Sequence, residues 1–379
     1  MAPNLRGLSA MQEVLQPNHG KRIPSEGSMS QKVGKIEIYA GPEEVGAPDN
    51  LEEVLVDFIQ GAKKSLDIAV QELDNRLIAE EIIGAKSRKV KVQMVIEQDY
   101  LREKEARKDP WAAGGSLESN RDILNAILRS AIDVKPDYNS AIFHQKFIVR
   151  DGESLLTGST NFTDTDAHQN LNHIVIIHDK EVTETYAREF GEIKQGHFGK
   201  KNEGHDPVPK EPVVSDVRIR ILFAPDHNPE MEIMKQMLKA KSRIDFAIFT
   251  FAKSSGIDDT MVKLRQLNIP IRGAFDARQG VQEWAAIPAL KQAQCELFKV
   301  APGNGVGKLH HKLMVLDEQV VIAGSFNYTG PANKTNDENI IILGDLETES
   351  SVQKNAQKGI AQFALKEIDR IIKDHGQLI

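Results

Sequence analysis

The sequence predicts an α/β fold of two pseudo-twofold-related lobes, each a mixed sheet flanked by helices, with one shared site at their junction. Three observations lead there. One constellation occurs twice in the same register: His144, Lys146, Asp151, Gly158, Ser159 and Asn161, then His310, Lys312, Asp317, Gly324, Ser325 and Asn327, each member displaced by 166 positions. The hydrophobic patterns that precede each copy also recur in the same order. Finally, a stretch with three prolines, Pro207, Pro209 and Pro212, divides the chain between the copies and favours an extended connector over a helix.

Taken in order, residues 1–33 show little periodicity and read as a flexible N-terminal arm. A first lobe follows over 34–201, a proline-rich linker over 202–215 and a second lobe over 216–379. In the first lobe Ile36 and Ile38 alternate with polar residues in an expected strand over Lys35–Ala40. Leu51, Val54, Leu55, Phe58 and Ile59 make one stripe of an expected helix over Leu51–Lys64, capped by Asn50. Strands are expected over Ser65–Gln71 and Val90–Glu97. The second lobe repeats this order with a strand over Val217–Phe223, a helix over Glu230–Lys241, and strands over Arg243–Thr250 and Ile269–Asp276. The first lobe is 13 residues longer between its last such strand and its motif. The surplus falls in the charged segment Tyr100–Asn120, expected to be a long loop or short helix near the site and a candidate lid.

Composition narrows the function. A chain of 379 residues, 40% apolar and 27% charged, is long enough for two ordinary cores. No apolar run reaches the roughly 18 residues of a membrane span, and Met1–Lys32 has no uninterrupted apolar segment of the signal-peptide kind, so a cytoplasmic location is expected. Cys295 is the only cysteine, which excludes an intrachain disulfide and a thiolate metal cage. A net charge of −7 argues against a globally basic nucleic-acid binder, though a local basic groove is compatible with it.

The doubled motif carries the chemistry. In a strand, His-x-Lys points imidazole and ammonium to one face, because side chains alternate with period two. Phe147–Val149 and Leu313–Leu316 read as strands buried on both faces. The aspartates that follow, Asp151 and Asp317, are expected to cap a turn. Fourteen residues after each histidine comes Gly-Ser-x-Asn, where glycine permits close backbone approach and asparagine offers an amide to a phosphate oxygen. Lys146 and Lys312 would hold developing negative charge, so neither a metal nor an organic cofactor is expected. Glu338 stands 28 residues after His310, where it could accept from that imidazole; the residue 28 after His144 is Asn172. With an anion beside His310 and an amide beside His144, the expected roles are His310 as general acid and His144 as nucleophile. A carboxylate could equally serve a nucleophilic histidine by stabilising the cation it becomes.

HQKFIVRD with GSTN, and HHKLMVLD with GSFN, resemble the phospholipase D superfamily, whose signature is His-x-Lys-x4-Asp followed by Gly-Ser-x-Asn. The resemblance covers about Lys35–Leu343. It implies phospholipase D-like lobes with one active site at the junction and metal-independent catalysis through a phosphohistidine. His144, Lys146, Asn161, His310, Lys312, Asn327 and Glu338 would then be catalytic, with Asp151, Ser159, Asn172, Asp317 and Ser325 in support. Asn172 departs from the family pattern, which commonly has an acidic residue there. Asp164 or Asp166 could substitute, although both read more simply as solvated loop carboxylates, as His168 and His173 read as polar loop and strand residues.

Among the superfamily's substrates, tyrosyl-DNA is disfavoured by the motif aspartates and lipid synthesis by the lack of membrane spans. A polar insertion with Trp111 as its one large apolar handle favours a nuclease acting on DNA or RNA. Basic clusters over Lys86–Lys91, Arg102–Lys108 and Lys194–Lys201 could follow a phosphate backbone. Phospholipid is the alternative substrate. A non-catalytic scaffold binding nucleic acid or lipid is a minor alternative, disfavoured by intact histidines and lysines in both copies.

Overall fold

The computed structural model describes residues 31–201 and 209–379. The first lobe is an eight-stranded sheet in the order Gln31–Val33, Ile36–Gly41, Asn172–Ile177, Ser154–Gly158, Lys146–Arg150, Ser65–Val70, Lys91–Glu97, Asp133–Asp137. The second is nine-stranded, in the mirrored listing Gly376–Leu378, Glu296–Val300, Ile271–Asp276, Ile244–Ile248, Lys312–Leu316, Val320–Gly324, Glu338–Leu343, Val217–Ala224, Val213–Val214. In each sheet three strands run parallel, Ser65–Val70 with its two successors and Ile244–Ile248 with its two, while the motif strands pair antiparallel. This is the mixed α/β architecture that the doubled pattern implies.

Side-chain alternation explains how the sheets stack. Along the first motif strand Phe147 and Val149 enter a core shared with residues of the second lobe, whereas Ile148 turns to the first lobe's own outer core. Leu313 and Val315 likewise enter the shared core, and Met314 and Leu316 the second lobe's outer core. Both faces are therefore apolar, which accounts for runs without polar interruption. The inner faces meet directly: Thr157 Oγ1 and Tyr186 O–H of the first lobe donate to Asn339 Oδ1 of the second at 2.9 and 3.1 Å. The 25-residue helix Ser351–His375 packs on the second sheet, and its Arg370 reaches the carbonyl of Val45 at 2.9 Å.

Local signals place most elements within a few residues of expectation. Asn50 caps the helix Leu51–Gln60 by accepting from the Glu53 N–H at 3.1 Å. That helix stops at Gln60, short of the expected Lys64. Two boundaries need correction. The arm expected over 1–33 ends in strand Gln31–Val33, hydrogen-bonded to Ile36–Gly41, and its residues 1–30 lie outside the described residues. The linker expected over 202–215 ends in Val213–Val214, paired with the strand after it; residues 202–208 lie outside the described residues.

The motif aspartates are part of the scaffold. Asp151 accepts from the backbone N–H groups of Lys63, Lys64 and Ser65 at 3.0, 2.6 and 2.9 Å, and Asp317 from those of Lys241, Ser242 and Arg243 at 2.7, 2.8 and 2.9 Å. Each thereby ties the end of its motif strand to the start of the neighbouring strand, and these donors hold both carboxyls below their usual range despite burial. Asp317→Ala should cost about 2 kcal/mol of unfolding free energy, read as a lower denaturant midpoint at unchanged slope. An unaltered midpoint together with a large loss of turnover would place this carboxylate in the chemistry instead.

Candidate active site

The two histidines sit two residues before the strands they were expected to occupy. The strands begin at Lys146 and Lys312, and each histidine lies in the crossing segment just before. The backbone N–H of His144 is bonded to the carbonyl of Asp337, and that of His310 to the carbonyl of Leu171, at 2.9 Å each. Each histidine is thus anchored by the opposite lobe, which removes it from its own sheet's ladder. Both lysines remain on the histidine's side, Lys146 Nζ donating to the His144 carbonyl at 2.8 Å and Lys312 Nζ to the His310 carbonyl at 2.7 Å.

The expected pairing of histidines with their backing groups is overturned. Glu338 does not back His310, nor Asn172 His144; the partners cross between lobes. His144 Nδ1 lies 2.6 Å from Glu338 Oε2, and His310 Nδ1 lies 3.0 Å from Asn172 Oδ1. Glu338 and Asn172 head strands Glu338–Leu343 and Asn172–Ile177, whose ends face across the junction toward the other lobe's histidine. Sequence spacing could not reveal this, since a distance within one copy is silent about contacts between copies. Serines complete both relays: Ser325 O–H donates to Glu338 at 2.7 Å and Ser159 O–H to Asn172 Oδ1 at 2.8 Å. The Asn172 amide NH2 donates to the carbonyls of Asp166 and Asn170, which orients its oxygen toward His310. With both Nδ1 atoms occupied, each ring has Nε2 left for a substrate.

Gly158 and Gly324 let the strands approach closely, for a Cβ there would collide with the carbonyl oxygens of His173 and Asn339. Asn161 is buried, its N–H donates to Asp166 at 2.7 Å, and its side-chain oxygen has no hydrogen-bond partner among the described residues. Asn327 accepts from the Thr250 N–H at 3.3 Å. Asp166 is not a solvated loop carboxylate: it is buried, with an oxygen 3.4 Å from His310 Nδ1. Asp164 is exposed and accepts from Asn75 at 2.7 Å. His168 is held between Glu44 and Glu52 at 2.6 and 3.3 Å, while buried His173 stacks on His311 with ring centroids 5.4 Å apart.

Burial dominates the electrostatics of the site. It holds both imidazoles well below their usual value, aided by the ammonium groups of Lys146 and Lys312. Lys146 is pushed down to about 7 and Lys312 well below its usual range, chiefly by burial, with each other's proximity contributing for Lys312. Burial raises Glu338 to about 8 against the pull of Lys146. Every shift disfavours uncompensated charge in a dry site, and a bound phosphate would supply the anion that the lysines lack.

Several residues around the centre were not singled out from the sequence. Gln71 Oε1 accepts from Lys146 at 3.1 Å, and Gln71 Nε2 donates to the Tyr100 hydroxyl at 3.3 Å, which joins the start of the insertion to the site. Glu72 is raised to about 7 by burial and by Asp74 and Asp166. The Phe249 ring packs edge-on against His310, centroids 5.0 Å apart, and Lys308 Nζ lies 5.5 Å from that ring. Aligning the two copies would have exposed Phe249 and Lys308, because the first lobe has Gln71 and Ile142 at those places. Within the basic clusters Arg88 pairs with Glu81, Arg102 with Asp99 and Lys194 with Asp133.

The family model described as "Cardiolipin synthase, PLD-like domain" matches residues 55–194 and 233–359, one match per lobe and each including a complete motif. The chain belongs to this phospholipase D-like family. Its lobes are also similar to curated proteins of the family. A phospholipase D of Rickettsia conorii is 27% identical over 139 residues, 37% of this chain and 62% of that protein. A mitochondrial cardiolipin hydrolase of Xenopus tropicalis is 28% identical over 134 residues, 35% of this chain and 56% of that one. The fold as a whole resembles the crystal structure of a phosphatidylserine synthase from Haemophilus influenzae, with a TM-score of 0.63 at 13% identity over 93% of this chain and 88% of that chain. The aligned region spans less than two thirds of the length of either of these curated proteins. Among the described residues no helix is long and apolar enough to cross a membrane.

Proposed function

We propose that the protein hydrolyses the phosphodiester bonds of nucleic acid by two displacements through a phosphohistidine on His144. The crossed wiring carries this reading, because it brings one imidazole, one ammonium and one carboxamide from each lobe to a single centre. In the first displacement His144 Nε2 bonds to phosphorus and the P–O bond to the leaving oxygen breaks, that oxygen taking a proton from His310. In the second, His310 takes a proton from water as its oxygen attacks phosphorus, and the N–P electron pair returns to His144. Glu338 on Nδ1 is suited to the nucleophile, since the phosphorylated ring is a cation and a carboxylate stabilises it. His310, backed by an amide and held below its usual pKa, is a strong acid when protonated and a usable base when not. Lys146 and Lys312 neutralise the nonbridging oxygens, with the Asn161 and Asn327 side chains beside them. Among the described residues no group of three or more His, Cys, Asp or Glu side chains is arranged to hold a metal.

The choice of nucleic acid over lipid rests on the polarity of the segment beside the site. Seven of the eight residues over 102–109 are charged, and 101–117 present Trp111 as their one exposed large apolar side chain. Phospholipid remains the second reading, favoured by the names of the curated relatives. Incubation in excess chelator with single-stranded DNA, double-stranded DNA, RNA and phosphatidylcholine or cardiolipin vesicles separates the two. Cutting of a polynucleotide in chelator, lost in His144→Ala, is the expected result. Headgroup release with no cutting would replace the nuclease with a phospholipase, and activity only after divalent cation is restored would reject the metal-independent mechanism.

A further inference from the structure

The two halves of the site match closely, so the places where they differ are informative. Backbone bonds establish which residues correspond. The N–H of Gln71 donates to the carbonyl of Gln145 at 3.0 Å as that of Phe249 does to His311 at 2.9 Å. The N–H of Asp337 donates to the carbonyl of Ile142 at 3.1 Å as that of Leu171 does to Lys308 at 3.0 Å. At these equivalent positions the first lobe carries an amide and an aliphatic side chain, and the second an aromatic ring and an ammonium group. Both departures fall together, for Phe249 touches His310 and Lys308 lies 5.5 Å from Phe249.

Lys308 is firmly placed. Its carbonyl is held by Leu171, and the next N–H, that of Leu309, donates to the buried Asp276 at 3.3 Å. The residue is half-buried, and no ion pair engages its ammonium group among the described residues. Its field nonetheless reaches the centre, where it helps to depress His144 and His310. One phosphodiester carries a single negative charge, which Lys146 and Lys312 already face. Lys308 is a third cation on this side; its field also reaches Glu72, and with no carboxylate in ion-pair contact among the described residues its ammonium is open to a further anion on the substrate.

We infer that Lys308 and Phe249 form a subsite on the His310 side that binds a second, non-scissile phosphate, the ammonium pairing with the anion and the ring packing against the attached nucleoside. The inference rests on the nuclease reading and deepens it: the preferred substrate is a strand with a phosphate next to the one being cut. Because His310 protonates the leaving oxygen, that neighbour belongs to the leaving fragment. A nucleoside without it would leave Lys308 unpaired.

The test compares three dinucleotides that share one internal phosphodiester: one with no terminal phosphate, one with a 5′-phosphate and one with a 3′-phosphate. Wild type should cleave one of the phosphorylated pair with kcat/KM roughly tenfold above the unphosphorylated dinucleotide. Lys308→Ala should bring that ratio to about one, and Lys308→Arg should keep it, which also controls for folding. Equal cleavage of all three by wild type overturns the inference, as does a Lys308→Ala enzyme that loses activity on all of them in equal proportion. Bis(p-nitrophenyl) phosphate serves as a fourth substrate. Its hydrolysis without cleavage of any dinucleotide defeats the nuclease reading and the subsite with it, whereas dinucleotide cleavage without the ratio defeats the subsite alone.

Discussion

With bis(p-nitrophenyl) phosphate, His310→Ala releases one equivalent of p-nitrophenolate per protein and then stalls, while His144→Ala releases none. This outcome follows from dividing the work between the two imidazoles. Nitrophenolate is a good leaving group and departs without protonation, so the first displacement survives loss of His310. The second needs a base to take the proton of water, and the phosphorylated protein accumulates. Steady-state turnover should fall by about 10³-fold or more in each variant, since groups that act as a unit fail together. Mass spectrometry of the stalled protein would locate the phosphoryl group on His144. A burst in His144→Ala and none in His310→Ala would exchange the two roles without disturbing the rest of the mechanism.

The second expected result depends on the crossed wiring. In the His310→Ala background, where adduct formation can be followed alone, Glu338→Gln should slow the burst by roughly 10²-fold. A glutamine can still orient the His144 ring, at 2.6 Å in the native pair, but it carries no charge to offset the phosphoimidazolium. Asn172→Ala in the same background should leave the burst nearly intact, because the ring that Asn172 orients has already been removed. The two substitutions therefore separate contacts between lobes from contacts within one copy. If Asn172→Ala slowed the burst and Glu338→Gln did not, each histidine would be served by its own copy and the geometry proposed for catalysis would fail.

Much of this molecule was readable before any coordinates. The identical register of His144 through Asn161 and His310 through Asn327 implied duplication, and the uninterrupted apolar runs at Phe147–Val149 and Leu313–Leu316 implied two-sided burial, which the shared and outer cores display. Asp151 and Asp317 are structural as expected, but each holds the segment before a neighbouring strand and not the turn into the next one, a through-space contact that spacing along the chain does not show. Boundaries were read less well. The segment Gln31–Val33 looked aperiodic, yet it gains strand structure by pairing with a neighbour, and three residues are too few to show a period.

The site divides along the same line. Residue identity and spacing were enough to single out His144, Lys146, Asn161, His310, Lys312, Asn327 and Glu338 as candidates, because chemistry resides in side-chain types and a duplicated chain repeats them at a constant interval. Partnership was not encoded there. Which carboxylate meets which imidazole and the recruitment of Asp166 depend on how two sheets face each other, while the meetings of Gln71 with Lys146 and of Lys308 with Phe249 depend on how strands and loops pack within one lobe. Intervals along a chain describe one lobe at a time, whereas those contacts are made through space, largely between lobes, and only packing brings them together.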